Sequence, residues 1–322
     1  MIDNCTYRFL DGAVCSEPAH GHSTLCYWHN PDSDKGCPGL KERLEERVKN
    51  GKTLQGFQLS KARLENVSLN NADLRNANLS RAFLHRARMF NVNLSGANLL
   101  KAHLEKANLR RATLEGAELL GVFLKDTAME GIVLGNGGKI RNEVEAENFL
   151  KSGDRVKAME KYLEAEEIYR NIKTNFKNSG ISYDAGIYFY REMTVKRLQM
   201  PYSTQRFVSK VVDLSTGYGE RPFRIMSFSL VFILLYCVAF SLLGIHHTTG
   251  YFSRLLWGYS ALENLAVLYD ALYYSVVTFT TLGYGDYTPV GVGKAFAMTE
   301  AFFGPFLIAL FVVTVYKKYM ER

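Results

Sequence analysis

The sequence predicts a multidomain membrane protein: a small metal-binding segment, a right-handed β-solenoid, a helical segment and an all-α membrane domain. Three observations predict it. From Leu54 to Leu134 a large apolar residue recurs every five positions, a period that suits neither a helix nor an alternating strand. Two apolar stretches, residues 223–245 and 292–316, are each long enough to cross a bilayer, which takes ~20 residues. Between them lies a short run with glycines at alternate positions, Thr280-Thr281-Leu282-Gly283-Tyr284-Gly285-Asp286. A length of 322 residues suggests two or more domains. The near-neutral mean hydropathy averages a polar body before Arg221 with an apolar, aromatic remainder.

The first segment, residues 1–40, carries Cys5, Cys15, Cys26 and His29 in the spacing C-x9-C-x10-C-x2-H. The chain has five cysteines, an odd count, and three of them lie near histidines, which favours metal over disulfides. Three thiolates and one imidazole make a closed tetrahedral zinc set, structural rather than catalytic because protein fills every position. So small a segment has little core, and a metal would supply its folding energy. Cys37, His20 and His22 are alternatives for the fourth ligand, and free thiols in a reducing cytoplasm are the alternative for the whole set. The spacing resembles the WRC-type zinc motif of plant regulators, but the Trp-Arg before the second Cys is absent, so the resemblance does not carry DNA binding with it. No basic-then-apolar pattern marks a cleaved signal peptide. Residues 41–51 read as a short charged helix closed by Asn50-Gly51.

Over residues 52–135 the pentads hold one register, with a small residue two positions before most of the large ones (Ala62, Ala72, Ala77, Ala82, Ala87, Ala97). A fixed short period implies a solenoid. Each pentad forms one side of a square coil, with Leu and Ala both pointing in. Asn71, Asp73, Asn76, Asn78, Asn91, Asn93, Asn98 and Asn108 suit turns at the corners. The pattern resembles the pentapeptide-repeat family, which implies a right-handed quadrilateral β-helix. Some members mimic DNA, which needs an acidic face; here twelve Lys and Arg stand against seven Asp and Glu over residues 52–135. A rigid spacer or docking surface, open to a cytoplasmic protein or a small ligand, is the expectation that remains. Repeat arrays need capped ends, for which the zinc segment with the charged helix and the helices after Gly138 are in place.

Residues 136–200 read as three helices punctuated by Ser152-Gly153 and Asn178-Ser179-Gly180. Ala158, Tyr162, Ala165 and Tyr169 fall along one side of the second, and Tyr188, Phe189 and Tyr190 lie in the third. The Ala/Tyr alternation resembles tetratricopeptide-like repeats, which bind peptides; an aromatic core stripe is the plainer reading. Residues 201–221 contain an amphipathic stretch with Arg206 and Lys210, suited to an interfacial helix or to an ordinary linker.

Residues 222–322 hold the two spans. Arg221 and Arg224 before the first, and Lys317-Lys318 after the second, place both termini inside. The rule accounts for much of the net charge of +7 without nucleic acid, and no concentrated basic helix lies near Cys26. The run from Ala271 through Asp286 resembles the pore loop of two-span potassium channels, with Thr-Thr-Leu-Gly-Tyr-Gly-Asp as the filter. That resemblance implies that Thr281, Leu282, Gly283 and Tyr284 offer ion-holding carbonyls, with Gly285 shaping the mouth and Asp286 charging it. It implies filter support from Tyr273, Tyr274, Thr280 and Glu300. It also implies a gating bend at Gly304-Pro305, with close packing of the glycine as the alternative. Val277 stands where some bacterial relatives carry a carboxylate, so their brace is missing. Ile308, Phe311, Val312 and Val315 are candidates for an apolar constriction. A near copy, Thr216-Gly217-Tyr218-Gly219-Glu220, lacks the residue between Thr and Gly and follows no span, so it reads as a loop.

Together these imply no enzyme but a homotetrameric potassium channel of a prokaryotic inner membrane, in contact with lipid, with potassium as conducted ion and zinc as structural metal. Residues before Pro222 would sense an unidentified signal. The alternative is a membrane-anchored scaffold with a non-conducting pore.

Overall fold

The computed structural model describes residues 4–255 and 260–319. The chain divides into two compact units, Met1–Ser203 and Thr204–Arg322.

In the first unit a loop-rich segment leads into α1 (Leu40–Lys49), then the solenoid, then α2 (Arg141–Lys151), α3 (Arg155–Asn178) and α4 (Ser182–Gln199). The solenoid has four pentads per coil: parallel bridges join residues twenty apart, from Gln58↔Asn78 to Thr113↔Val133. Leu59, Leu64, Leu69 and Leu74 are fully buried, and the small Ala62, Ala77 and Ala82 complete each inner layer. Every fifth residue takes a left-handed backbone to turn the corner, as at Lys61, Asn66, Asn71, Arg81, Arg86 and Lys101. This divides the eight predicted corner residues. Asn71, Asn76 and Asn91 have positive φ. Asp73, Asn78, Asn93, Asn98 and Asn108 instead lie on the bridging ladder. There their side-chain oxygens accept from the N–H two residues on, as Asn78 does from Ser80 and Asn98 from Leu100.

Both ends of the stack are covered. Trp28 stacks on Phe57 with ring centroids 4.9 Å apart, and its carbonyl accepts from the Gln58 N–H at 2.8 Å. Glu45 of α1 accepts from the Ser68 N–H at 2.7 Å. At the other end the amides of Asn171 and Asn175 donate to the carbonyls of Val122 and Thr127. The tyrosine stripe is core: Tyr162 and Tyr169 are buried, and Tyr188 stacks on Phe176 at 5.4 Å.

The second unit holds α5 (Thr204–Thr216), α6 (Pro222–Leu243), β1 (Ile245–His247), β2 (Phe252–Ser253), α7 (Ala261–Phe279), β3 (Tyr287–Pro289) and α8 (Gly293–Tyr319). Helices α6 and α8 are long and apolar enough to cross a membrane, and only 22% and 17% of their most apolar windows are buried. The core of a soluble protein would hide such surface. On α5, Phe207, Val208, Val211 and Leu214 are exposed, an apolar face suited to a bilayer surface. Asp213 anchors the helix to Arg224 of α6 at 2.6 Å. Strands β2-β1-β3 form an antiparallel sheet where the sequence reads only as a polar rim. Residues 256–259 of that rim and 320–322 of the pore domain lie outside the described residues.

Candidate functional site

Helix α7 starts at a capping box, in which Ser260 and Glu263 satisfy each other's backbone N–H. It ends at Phe279, and the chain then changes character. Thr281, Gly283 and Gly285 have φ of 59°, 54° and 78°, while Leu282 and Tyr284 between them are not among the residues with positive φ. Alternating the hand of the backbone turns successive N–H groups to one side, as in an anion-binding nest. A β-branched residue with positive φ, as at Thr281, is a strained outlier of the kind found at functional sites. The near copy at residues 216–220 is different: Gly217, Tyr218 and Gly219 are left-handed in succession, which coils the chain into a turn.

The loop is tied at both ends. The Leu282 N–H donates to the Val277 carbonyl at 3.1 Å, and the Thr248 N–H donates to the Asp286 carbonyl at 2.9 Å. Tyr273 interacts electrostatically with the Asp286 carboxylate. Tyr274 packs edge-on against Phe240 at 4.8 Å and lines a cavity of about 330 Å³ behind the loop, with Val277, Thr278, Thr281, Gly283, Gly285 and Ala301. Thr280 turns back into its own helix, its hydroxyl donating to Val276 O at 2.7 Å. The Thr281 hydroxyl donates to Thr280 O at 2.7 Å.

Glu300 of α8 is fully buried, with Ser275 donating to its Oε1 at 2.5 Å. It therefore clamps α8 to α7 rather than to the loop itself. Gly304 is buried where α8 crosses the end of α7: a Cβ there would lie 2.1 Å from the Phe279 carbonyl oxygen. Close approach requires a glycine here, and α8 continues through Pro305 as one helix. Ile308 and Phe311 line a groove shared with Met226 and Leu230 of α6. Leu282 and Tyr284 are 60% and 67% exposed in a single protomer.

Two groups went unread in the sequence. One is the outer sheet, with the Asp270 carboxylate accepting from Ser253 at 3.0 Å and from Tyr251 at 3.3 Å. Its strands are two or three residues long, too short to show a period. The other is Ser275, which only its polarity within an apolar helix could have flagged.

In the first unit, Cys5, Cys15, Cys26 and His29 are all buried, with their ligand atoms within 4.8 Å of one another. Around zinc, tetrahedral S···N and S···S edges are about 3.6 and about 3.8 Å. Here Cys5 Sγ and Cys26 Sγ lie 3.5 and 3.2 Å from His29 Nδ1, and Cys15 Sγ lies 4.0 Å from Cys26 Sγ. His29 Nε2 donates to the Gln55 carbonyl at 2.9 Å, which leaves Nδ1 free to ligate. Burial holds His29 below its usual range, keeping it neutral. Burial also pushes the Cys15 thiol up to about 12, so thiolates in this pocket require a cation. The residues fit the metal. The spare candidate Cys37 is engaged elsewhere, 3.2 Å from the Tyr27 hydroxyl.

Two long apolar helices flanking α7 and a loop of alternating hand define an ion-channel domain in a membrane protein, joined in this chain to a pentad solenoid. Residues 228–321 match the ion channel family model of two-span type, and residues 58–96 and 87–126 match pentapeptide repeats, eight copies in all. The chain is a fusion of these two families' domains. It is 44% identical over 50 residues to Protein LctB of Bacillus caldotenax and of Geobacillus stearothermophilus, covering 16% of this chain and 37% of theirs. A pentapeptide repeat protein from the cyanobacterium Cyanothece is 41% identical with a TM-score of 0.25, covering 26% of this chain and 56% of that one. The pentapeptide repeat protein HetL from Nostoc is 36% identical with a TM-score of 0.16, covering 25% of this chain and 39% of that one.

Proposed function

We propose that the chain is the subunit of a homotetrameric, potassium-selective channel. It conducts passively across a prokaryotic inner membrane with both termini in the cytoplasm. The alternating backbone hand from Thr281 to Gly285 carries this reading. Four such loops around an axis would replace the water around a dehydrated potassium ion with carbonyl oxygens. Asp286, beside Tyr273, sets negative charge at the outer mouth. The pore helix directs its partly negative C-terminal end toward the cavity below. Glu300 and Tyr274 hold the scaffold behind the loop. Bending of α8 at Gly304-Pro305 and a signal received by the first unit would control opening. A structural zinc held by Cys5, Cys15, Cys26 and His29 would fold the N-terminal segment.

The deciding experiment is potassium against sodium flux through the purified chain in liposomes. Potassium flux that exceeds sodium flux is expected. Equal flux of both ions, or none under any condition, would sink the selective-channel reading. Metal content before and after Cys15→Ser tests the zinc centre separately, with loss of one zinc per chain expected.

A further inference from the structure

We infer that the solenoid carries a second, exchangeable metal site, formed by His85, His103 and Glu105 and selective for divalent cations of the zinc class. The donor atoms of these three residues lie within 4.8 Å of one another. The coil period creates the cluster. Glu105 stands one twenty-residue turn after His85, and His103 is bridged in parallel to Phe83 below and Phe123 above. Backbone ladders therefore fix all three Cα positions.

Three features point to an ion. The first is spacing. His85 Nε2 is 3.2 Å from Glu105 Oε2, and His103 Nδ1 is 3.3 Å from Glu105 Oε1. Ligands at ~2.1 Å from a tetrahedral metal lie about 3.4 Å apart. The second is an orphan acceptor. Glu105 Oε2 is shut off from solvent yet has no hydrogen-bond partner among the described residues, although His85 Nε2 is close. The imidazole is near enough but not aimed for a direct bond, which suits an ion accepting electron pairs from both. The third is preorganisation. The His103 ring is sandwiched between Phe83 at 5.1 Å and Phe123 at 4.5 Å, both within 7° of parallel, so it keeps its orientation whether or not an ion is held.

The chemistry of the site follows from its donors. Two imidazoles and a carboxylate suit zinc, cobalt or nickel, whereas calcium and magnesium require oxygen ligands. Three protein ligands leave a position open, and the side chains are 24–40% exposed, so the ion can enter and leave. The cysteine centre, by contrast, is closed and buried. The carboxylate also lines a groove with Lys101, Lys125, Arg170 and Asn171, between the solenoid and α3. An ion on Glu105 would add positive charge at that groove.

The test uses the full chain in detergent, with the cysteine centre loaded with zinc and excess metal dialysed away. Cobalt is then titrated and followed by its ligand-field absorption and by equilibrium dialysis. One further cobalt per chain is expected, without thiolate charge-transfer bands, and a hundredfold excess of magnesium should not displace it. Affinity for it should fall more than about tenfold in His85→Gln and in Glu105→Gln, the lower end of what losing even an outer-shell partner does. His20 and His22 remain in both variants and serve as internal controls. Zinc retained at the cysteine centre reports that each variant is folded. If Glu105→Gln loses that zinc, the exposed His85→Gln decides alone. Binding of no cobalt, or of a cobalt unaltered by His85→Gln, would overturn the proposal.

Discussion

Gly304 and Gly283 are both glycines for reasons that a substitution can separate. A methyl group at Gly304 would meet the Phe279 carbonyl oxygen at 2.1 Å, a backbone atom that cannot step aside. At Gly283 a methyl group meets nothing within 4 Å, but φ is +54°. Gly304→Ala should therefore act as overpacking, costing about 1–3 kcal/mol and lowering the melting temperature of the pore domain. Gly283→Ala should cost about 1–2 kcal/mol of backbone strain in the loop. That variant should lose potassium preference in a flux assay, whereas Gly304→Ala should keep it. Loss of preference in both would refute the distinction. In the first unit, burial raises the Glu143 carboxyl above its usual range, although Tyr169 donates to it and Arg191 lies 3.4 Å away. A carboxyl raised on folding binds its proton more tightly in the folded state. Its contribution is therefore fully present below the unfolded value near 4.5 and is lost as pH rises toward the folded value. Glu143→Gln keeps an acceptor for Tyr169 and should gain stability relative to the parent as pH rises from 4 to 7, measured as the difference in melting temperature. A constant difference across that range would show that the group does not titrate on folding.

Among the elements, what could be read in advance follows from repetition. The solenoid reuses one pentad many times, so its register, inward Leu and Ala layers and approximate ends were all visible. The distribution of Asn between corner and ladder was not, because Lys and Arg occupy left-handed corners as readily here and leave no compositional mark. Helices α6, α7 and α8 were legible because a bilayer demands length and apolarity. The three-stranded sheet was not, since its pairing is set by long-range contact with the chain beyond Asp286. Glu300 was visible as a charge within a span, but its partner and its role as an α7–α8 clamp needed the structure. A repeat array shares its stability among neighbouring coils, so a defect in the middle of the stack is felt on both sides. Leu94 is fully buried in the middle of the stack. Leu94→Ala should cost about 2–5 kcal/mol. Asn91, two residues after the inward Met89, turns a corner with φ 54°. Asn91→Ala should cost nearer about 1–2 kcal/mol, through strain and the loss of the bond its amide donates to Asn71 Oδ1 at 2.9 Å. Denaturant unfolding of both variants checks the order, and a larger loss for Asn91→Ala would mean that the corners, not the inner layers, hold the coil together.

For the whole molecule, a single protomer leaves much apolar surface of its second unit exposed. Leu282 and Tyr284 are exposed beside the loop, and α8 shows Phe302, Phe306, Val312 and Val313 to its surroundings. Lipid can cover the apolar helix faces. It cannot hydrogen-bond backbone carbonyls, which in the proposed tetramer other copies of the loop and an ion between them would satisfy. Ion binding and assembly are then linked, because a ligand that binds only the assembled form stabilises it by mass action. At a concentration one hundred times its dissociation constant, the stabilisation is about 2.7 kcal/mol. The detergent-solubilised chain should therefore run as four copies by native mass spectrometry. Raising potassium at constant ionic strength should move its subunit dissociation to higher temperature, and sodium should do so much less. Gly283→Ala should abolish the difference between the two ions while leaving the four-copy mass in place. Holding ionic strength constant matters, because general screening would affect both salts alike. Identical shifts for potassium and sodium in the parent chain would mean that the loop is not an ion-holding element in the assembly. Four copies with the expected ion order would tie the backbone alternation at Thr281, Gly283 and Gly285 to binding, independently of any flux measurement.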